Sequence, residues 1–258
     1  MFGLLIKKSF YDFWDNLFSA AFLNLGFMLI GAYTFLVPRL VINIPPLAVA
    51  ITVSGIIFTF LYAGGVSFMM FDTTGGGRRF ELAKLFPYIK QTMGKTFRSL
   101  LLIGLFVVVT FVSLPFYTSM EGLLPAVAAV VVVWLAVLFT LVFQFYIPMY
   151  IQAQDKAKPV LKRAFLFFMD NTFFSISVFI VSIFIFLVSL FTALLIPGIS
   201  AIFHFQQEAV KMRMKKYDYL EENPGTNSKK VPWKIILMED KEEIGHRTIK
   251  NLIFPWKD

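Results

Sequence analysis

Five stretches of the chain are almost purely apolar: Leu17–Val37, Leu47–Phe71, Leu100–Met120, Leu123–Ile151 and Thr172–Ile196. Each approaches or exceeds the roughly 20 residues that a helix needs to cross a hydrocarbon core of about 30 Å. None contains a formal charge, and Glu121 stands in the turn between the third and fourth. The connections Pro38–Pro46 and Thr118–Pro125 are short and nearly uncharged. Before the tail, every basic residue but Arg39 falls at Lys7–Lys8, between Arg78 and Arg98, or between Lys156 and Arg163. Short lysine-poor connections belong outside and basic ones in the cytoplasm. This places the N-terminus inside and pairs spans one–two and three–four as hairpins. A lone fifth crossing would export a tail carrying eleven Lys and Arg. The stretch "TALLIPGISAIFHFQQEAV", 192–210, is therefore predicted as a short sixth span, with Pro197 in its first turn. Both termini are then cytoplasmic.

A second pattern lies just before the spans. "KKSFYDFWDN", Lys7 to Asn16, returns as "KRAFLFFMDN", Lys162 to Asn171, with Lys, Phe, Phe, Asp and Asn in register. Read as a helix, the first copy puts Ile6, Phe10, Phe13, Trp14 and Leu17 on one side and Lys7, Lys8, Tyr11, Asp12 and Asp15 on the other. The second opposes Leu161, Phe165, Phe168 and Met169 to Lys158, Lys162 and Asp170. A third candidate, "ELAKLFPYIKQTMGKTFRS", sets Leu82, Leu85, Phe86, Ile89, Met93 and Phe97 against Lys84, Gln91, Lys95 and Arg98, with Pro87 expected to kink it. All three are basic amphipathic helices suited to the headgroup layer. Their starts lie roughly 75 to 80 residues apart, and the chain reads as three repeats of surface helix plus hairpin. The expected contacts with anionic headgroups are Lys7, Lys8, Trp14, Arg78, Arg79, Lys162 and Arg163.

Composition narrows the class. Of 258 residues, 58% are hydrophobic, 17% aromatic and only 16% charged, and mean hydropathy is +0.73. Ordinary globular chains carry roughly 25% charged residues, so the expected fold is an all-α polytopic membrane protein of about six spans. The net charge of +8 is explained by the inward bias of lysine and arginine rather than by nucleic acid. The absence of cysteine excludes disulfides and thiolate chemistry. Two aspartates before the first apolar run argue against a cleavable leader. Residues 1–220 read as the membrane domain and 221–258 as a cytoplasmic tail.

Part of the chain resembles a known family. "FELAKLFPYIKQTMGKTFRSLLLIGLFVVV" is similar to a phenylalanine-rich loop entering a span in the YesL-like bacterial membrane proteins, through Phe86 and Lys90. "FQFYIPMYIQAQDKAKPVLKRAFLFFMDNTFFSI" is similar to a second signature, through Tyr146, Pro148, Lys162, Ala164 and Asn171; "LNLGFMLI" is a weaker match to the opening span. The likeness lies mainly in 80–191. The turn "VPRLVINIPPL" and the tail after Leu220 depart from the family pattern. The resemblance implies a six-span protein of a bacterial cytoplasmic membrane, accessory to a transporter of the carbohydrate-uptake type. The family's motifs describe topology rather than chemistry.

Catalytic signatures are missing from the pattern of residues. "TTGGGRRF" lacks the Lys-Ser/Thr ending of a phosphate loop and reads as a hinge. No serine–histidine–carboxylate set or paired carboxylates stand out, and no cofactor or metal is expected; His246 sits in the charged tail without metal-ligand spacing. The polar candidates for a pathway are Asn24, Gln144, His204, Gln206 and Gln207, with "HFQQE" the densest cluster near the membrane. Interhelical hydrogen bonding is the alternative for Asn24 and Gln144; a helix emerging into the headgroups is the alternative for His204–Glu208. The tail returns to apolar residues after the linker "ENPGTNSKK". Trp233, Ile253, Phe254 and Trp256 are expected to form an ordered element, docking a partner or folding back on the protein. The function expected is a non-enzymatic accessory subunit with a protein partner on the cytoplasmic face; the alternative is a small-solute or lipid permease.

Overall fold

The computed structural model describes residues 1–74, 79–153, 157–227, 231–245 and 247. Among these there are ten α-helices and no strand: α1 (Phe2–Asp15), α2 (Leu17–Leu40), α3 (Pro45–Thr73), α4 (Leu85–Thr118), α5 (Leu123–Gln152), α6 (Ala157–Asp170), α7 (Thr172–Phe191), α8 (Gly198–Glu222), α9 (Trp233–Ile236) and α10 (Met238–Ile244). Five are long and apolar enough to cross a membrane: α2, α3, α4 with the 3-10 turn before it, α5 and α7. Arg78 lies outside the described residues, as do Ile253, Phe254 and Trp256.

The repeated preface is a structural repeat. Both copies form 14-residue helices, α1 and α6, and the same asparagine ends each. At Asn16 (φ −112°) and Asn171 (φ −132°) the backbone leaves the helix. Each side-chain amide donates back to the carbonyl four residues earlier, Asp12 or Phe167, at 2.9 Å. Each asparagine carbonyl then accepts the first bond of the next helix, from Ala20 or Ser175, also at 2.9 Å. A short amide that bonds local backbone breaks a helix without leaving its groups unpaired. The remaining Asn oxygens tie the elbows to the fold. Asn16 accepts the Phe80 N–H at 2.8 Å, and Asn171 accepts from Arg213 while donating to the Tyr217 hydroxyl.

The middle copy does not make a separate surface helix. Lacking an asparagine at the corresponding place, it runs without a break into span three as the 34-residue α4. Pro87 falls in the first turn, where its missing N–H has no partner to lose, so it makes no kink. Lys95 and Arg98, expected among headgroups, reach α5 instead: Lys95 donates to the Ile151 carbonyl at 3.0 Å and Arg98 to the Tyr150 hydroxyl at 3.3 Å.

Close approach through small residues holds the spans together, as expected where lipid supplies no hydrophobic drive between helices. A Cβ on Gly64 would lie 2.1 Å from Thr96 Oγ1, and one on Gly65 2.3 Å from Ile89 Cγ1. Thr92, Thr96 and Ser99 are the only buried residues of α4. Their hydroxyls bond their own helix four residues back, so the polar atoms are satisfied where the two helices meet.

The expected sixth span takes a different form. After α7 the chain turns through 192–197, and α8 returns antiparallel to α7 for 25 residues. Its apolar character ends near Phe205, yet it is not a surface helix: it packs against α1, α2, α3, α5 and α7, so protein rather than lipid covers its polar half. The tail folds back as well. Val231, Leu237 and Ile244 are buried, the Trp233 ring lies 5.0 Å from the Arg213 guanidinium, and Asp240 bonds Lys215 at 2.7 Å. The helix α10 ends at Ile244, where Gly245 takes φ +58°.

Three outcomes follow. Asn171→Ala, which removes the side-chain acceptor of Arg213 Nε and one of the two hydrogen bonds of the Tyr217 hydroxyl, should destabilise the detergent-solubilised protein by about 1–3 kcal/mol, read by thermal unfolding; the same change at exposed Asn223 should have little effect. Truncation after Asn227 should also lower the unfolding midpoint, because it uncovers the residues beneath Leu237. Hydrogen bonds from Lys216 and Tyr217 hold the Asp170 carboxyl below its ordinary value. That contribution is complete above about pH 4 and lost as pH falls through the lowered value, so Asp170→Asn should flatten the acid limb of stability.

Candidate functional site: a polar core on the eighth helix

The start of α8 is built by a latch. Gly198 takes φ +71° and has no room for a Cβ, which would lie 2.1 Å from Asn24 Nδ2. The Asn24 amide donates to the Leu195 and Pro197 carbonyls at 2.8 and 2.7 Å and accepts the Ser200 N–H at 2.9 Å. Ser189 Oγ accepts the Gly198 N–H at 2.8 Å. This satisfies the turn's backbone with side-chain partners. Asn24 is thus fully used in fixing the α7–α8 turn. Gln144 is likewise structural, donating to Ser175 O at 2.9 Å and joining α5 to α7. Among the described residues neither is hydrogen-bonded to His204 or Gln207. Gln206 is half-buried and stands apart from the cluster below.

One face of α8 carries His204, Gln207 and Glu208, each no more than 2% exposed. They do not emerge among headgroups. Gln207 donates to Ser67 O and Oγ at 3.1 and 3.0 Å and accepts from Gln152, bridging α3 and α5. His204 lies beside the Phe80 ring, with centroids 5.9 Å apart. The donor atoms of Asp12, His204 and Glu208 all lie within 4.8 Å of one another. Lys8 is completely buried beside them; its ammonium is 3.5 Å from Asp12 Oδ2 and bonds Glu243 of the folded-back tail. Burial pushes the Asp12 carboxyl up from its ordinary value against the opposing pull of Lys8. Both ring nitrogens of His204 and both carboxylate oxygens of Glu208 have no hydrogen-bond partner among the described residues.

The orientation of α1 follows from this core. Its apolar residues Ile6, Phe10 and Trp14 are exposed, while Lys8, Tyr11 and Phe13 are buried. Lys8, expected as a headgroup contact, therefore faces the protein interior, because the carboxylates of α1, α8 and α10 supply its counter-charge. Lys7, Trp14, Arg79, Lys162 and Arg163 are exposed as expected, whereas Phe168 is buried. Trp233 sits on Arg213, so the described part of the tail packs on its own protein. Sequence reasoning found His204 and Gln207 but missed Lys8, Asp12 and Glu243. The readable signals were two pairs at i,i+4, Lys8/Asp12 and His204/Glu208, each placing charged or ligating groups on one helical face.

Fold and core together define an all-α polytopic membrane protein with an ionisable interior. No family model, curated protein or solved structure matches the chain.

Lys8→Met leaves Asp12 and Glu243 without their buried counter-ion. It should lower stability by about 1–3 kcal/mol, and Glu243→Gln introduced with it should recover part of the loss. Equal losses in the single and double variants would show that Lys8 acts by packing alone.

Proposed function

We propose that this chain is a small-solute permease of a bacterial cytoplasmic membrane, without catalytic activity, and that α8 is its solute-contacting helix. The observation that carries this reading is the set of buried, unpartnered groups on His204 and Glu208 inside the bundle. Ionisable side chains in such a place are expensive to hold and mark function. Space inside the bundle favours it too. A cavity of about 700 Å³ reaches from Leu194 at the α7–α8 turn to Phe27 and Ile199. A second, of about 240 Å³, shares Phe27 and Ile199 and ends at Phe203, next in sequence to His204. The resemblance of 80–191 to YesL-like proteins is in keeping with a transport role.

Charge supports a topology with both termini in the cytoplasm. Met1 lies against Arg213, and Asp170 bonds Lys216, so the starts of α1 and the ends of α6 and α8 share one end of the bundle. Lysines and arginines of all three helices gather there, as they do on the inner side of bacterial membranes.

A second reading, an accessory subunit with a membrane-embedded partner, is favoured by the α4–α5 hairpin. From Leu101 to Thr140 only Ala129 is buried, which leaves two long apolar helices for lipid or a partner to cover. The folded-back part of the tail no longer speaks for that reading.

Liposomes holding the pure protein should take up small polar solutes or cations faster than empty ones, and Glu208→Gln should reduce the rate at least tenfold. Flux equal to that of empty liposomes, with a stoichiometric partner retained in mild detergent, would establish the accessory role instead. Because the chain has no cysteine, Ser119→Cys should react with an impermeant thiol reagent in intact cells and Glu222→Cys should not. The reverse pattern would invert the topology.

A further inference from the structure

We infer that Asp12, His204 and Glu208 form a binding site for a divalent first-row transition-metal ion of the Mn²⁺, Fe²⁺ or Zn²⁺ class. The inference rests on the reading of α8 as the ligand-contacting helix and names what that helix holds. The geometry comes first. One imidazole and two carboxylates bring their donor atoms within 4.8 Å of one another, close to the spread that bonds of about 2.1 Å require. His204 and Glu208 are one helical turn apart on the same face of α8, and α1 brings Asp12 to them from the opposite side. Two rigid helices therefore supply all three donors.

The second observation is independent of that spacing. His204 and Glu208 are at least 98% buried, and none of their four polar side-chain atoms has a hydrogen-bond partner among the described residues. Buried groups of this kind are paired in nearly all folded proteins, and an unpaired buried carboxylate is far more costly than a neutral group. Lys8 does not meet the need. Its ammonium is shared between Asp12 and Glu243 and makes no hydrogen bond to Glu208. The other charged groups felt by Glu208 are Lys211, a cation, and Asp12 and Asp240, both anions, and Asp240 is itself paired with Lys215. A divalent cation would engage the imidazole lone pair and both carboxylates together. Donor chemistry then selects the metal: one nitrogen with two oxygens suits Mn²⁺, Fe²⁺ and Zn²⁺, whereas Ca²⁺ and Mg²⁺ prefer oxygen throughout. The Phe80 ring beside His204 walls the site with an apolar surface that keeps water from competing.

The test uses the full chain, purified in mild detergent through a histidine-free tag and stripped with a chelator. Titration with MnCl₂, followed by loss of the free-ion electron paramagnetic resonance signal, should show about one ion per chain. MnCl₂ or ZnCl₂ at a hundredfold excess over Kd should raise the unfolding midpoint by roughly 5 °C. Glu208→Gln and His204→Gln should each weaken Mn²⁺ binding by tenfold or more. Glu208→Gln should keep a single cooperative unfolding transition in the metal-free protein, so a folded variant and a misfolded one are distinguished. Gln206→Ala, on the same helix but outside the cluster, should bind as the unaltered chain does. The site is overturned if the unaltered protein binds neither ion, or if binding persists when Asp12→Asn, His204→Gln and Glu208→Gln are combined. Solute flux without metal binding overturns the site and leaves the permease reading standing; metal binding without flux supports the site and removes that reading.

Discussion

Everything in this fold answers to the polar half of α8. A helix carrying His204, Gln207 and Glu208 has no stable place against lipid, since each ionisable group there would lose its hydration without replacement. The rest of the bundle is arranged to enclose it. α1 turns Lys8 and Asp12 inward and leaves Phe10 and Trp14 outward, α3 and α5 meet Gln207 with Ser67 and Gln152, and the tail returns to offer Glu243 to Lys8. An amphipathic helix in water turns its charges out. In α1 the buried Lys8 and the exposed Phe10 and Trp14 break that rule.

The parts of the fold written in local pattern were legible from sequence. The five apolar runs became the five long apolar helices, because length and hydropathy alone decide that outcome. The Asp–Asn endings of the two prefaces marked real elbows, because an asparagine side chain can close a helix end from within. The third preface had the same amphipathic composition without that residue, and it merged into α4. The periodicity of a helix does not say where the helix stops.

What sequence could not disclose was which polar residues would meet. Lys7 and Lys8 are adjacent and chemically identical, yet one is exposed and the other completely buried. The difference lies in carboxylates more than 190 residues away along the chain, on α8 and α10. Asn24 and Gln144 had the look of pathway residues, but each is fixed by backbone carbonyls of another helix, contacts that only the assembled bundle creates. His204 and Glu208 were visible as a dense cluster. Their enclosure depended on α1, which read as a membrane-surface helix.

The glycine contact between α3 and α4 has a mechanical meaning. Thr96 rests on Gly64 near the polar end of the bundle, while α4 continues to Thr118 with no fully buried residue after Ser99. From fulcrum to tip this is about 33 Å of helix at 1.5 Å per residue. The α4–α5 hairpin is thus a lever pivoted at its short end. A tilt of about 10° at Gly64, hardly visible at the polar core, displaces the far turn by roughly 6 Å. A small tilt at the Gly64–Thr96 contact would therefore be enlarged several-fold at the far turn of the hairpin.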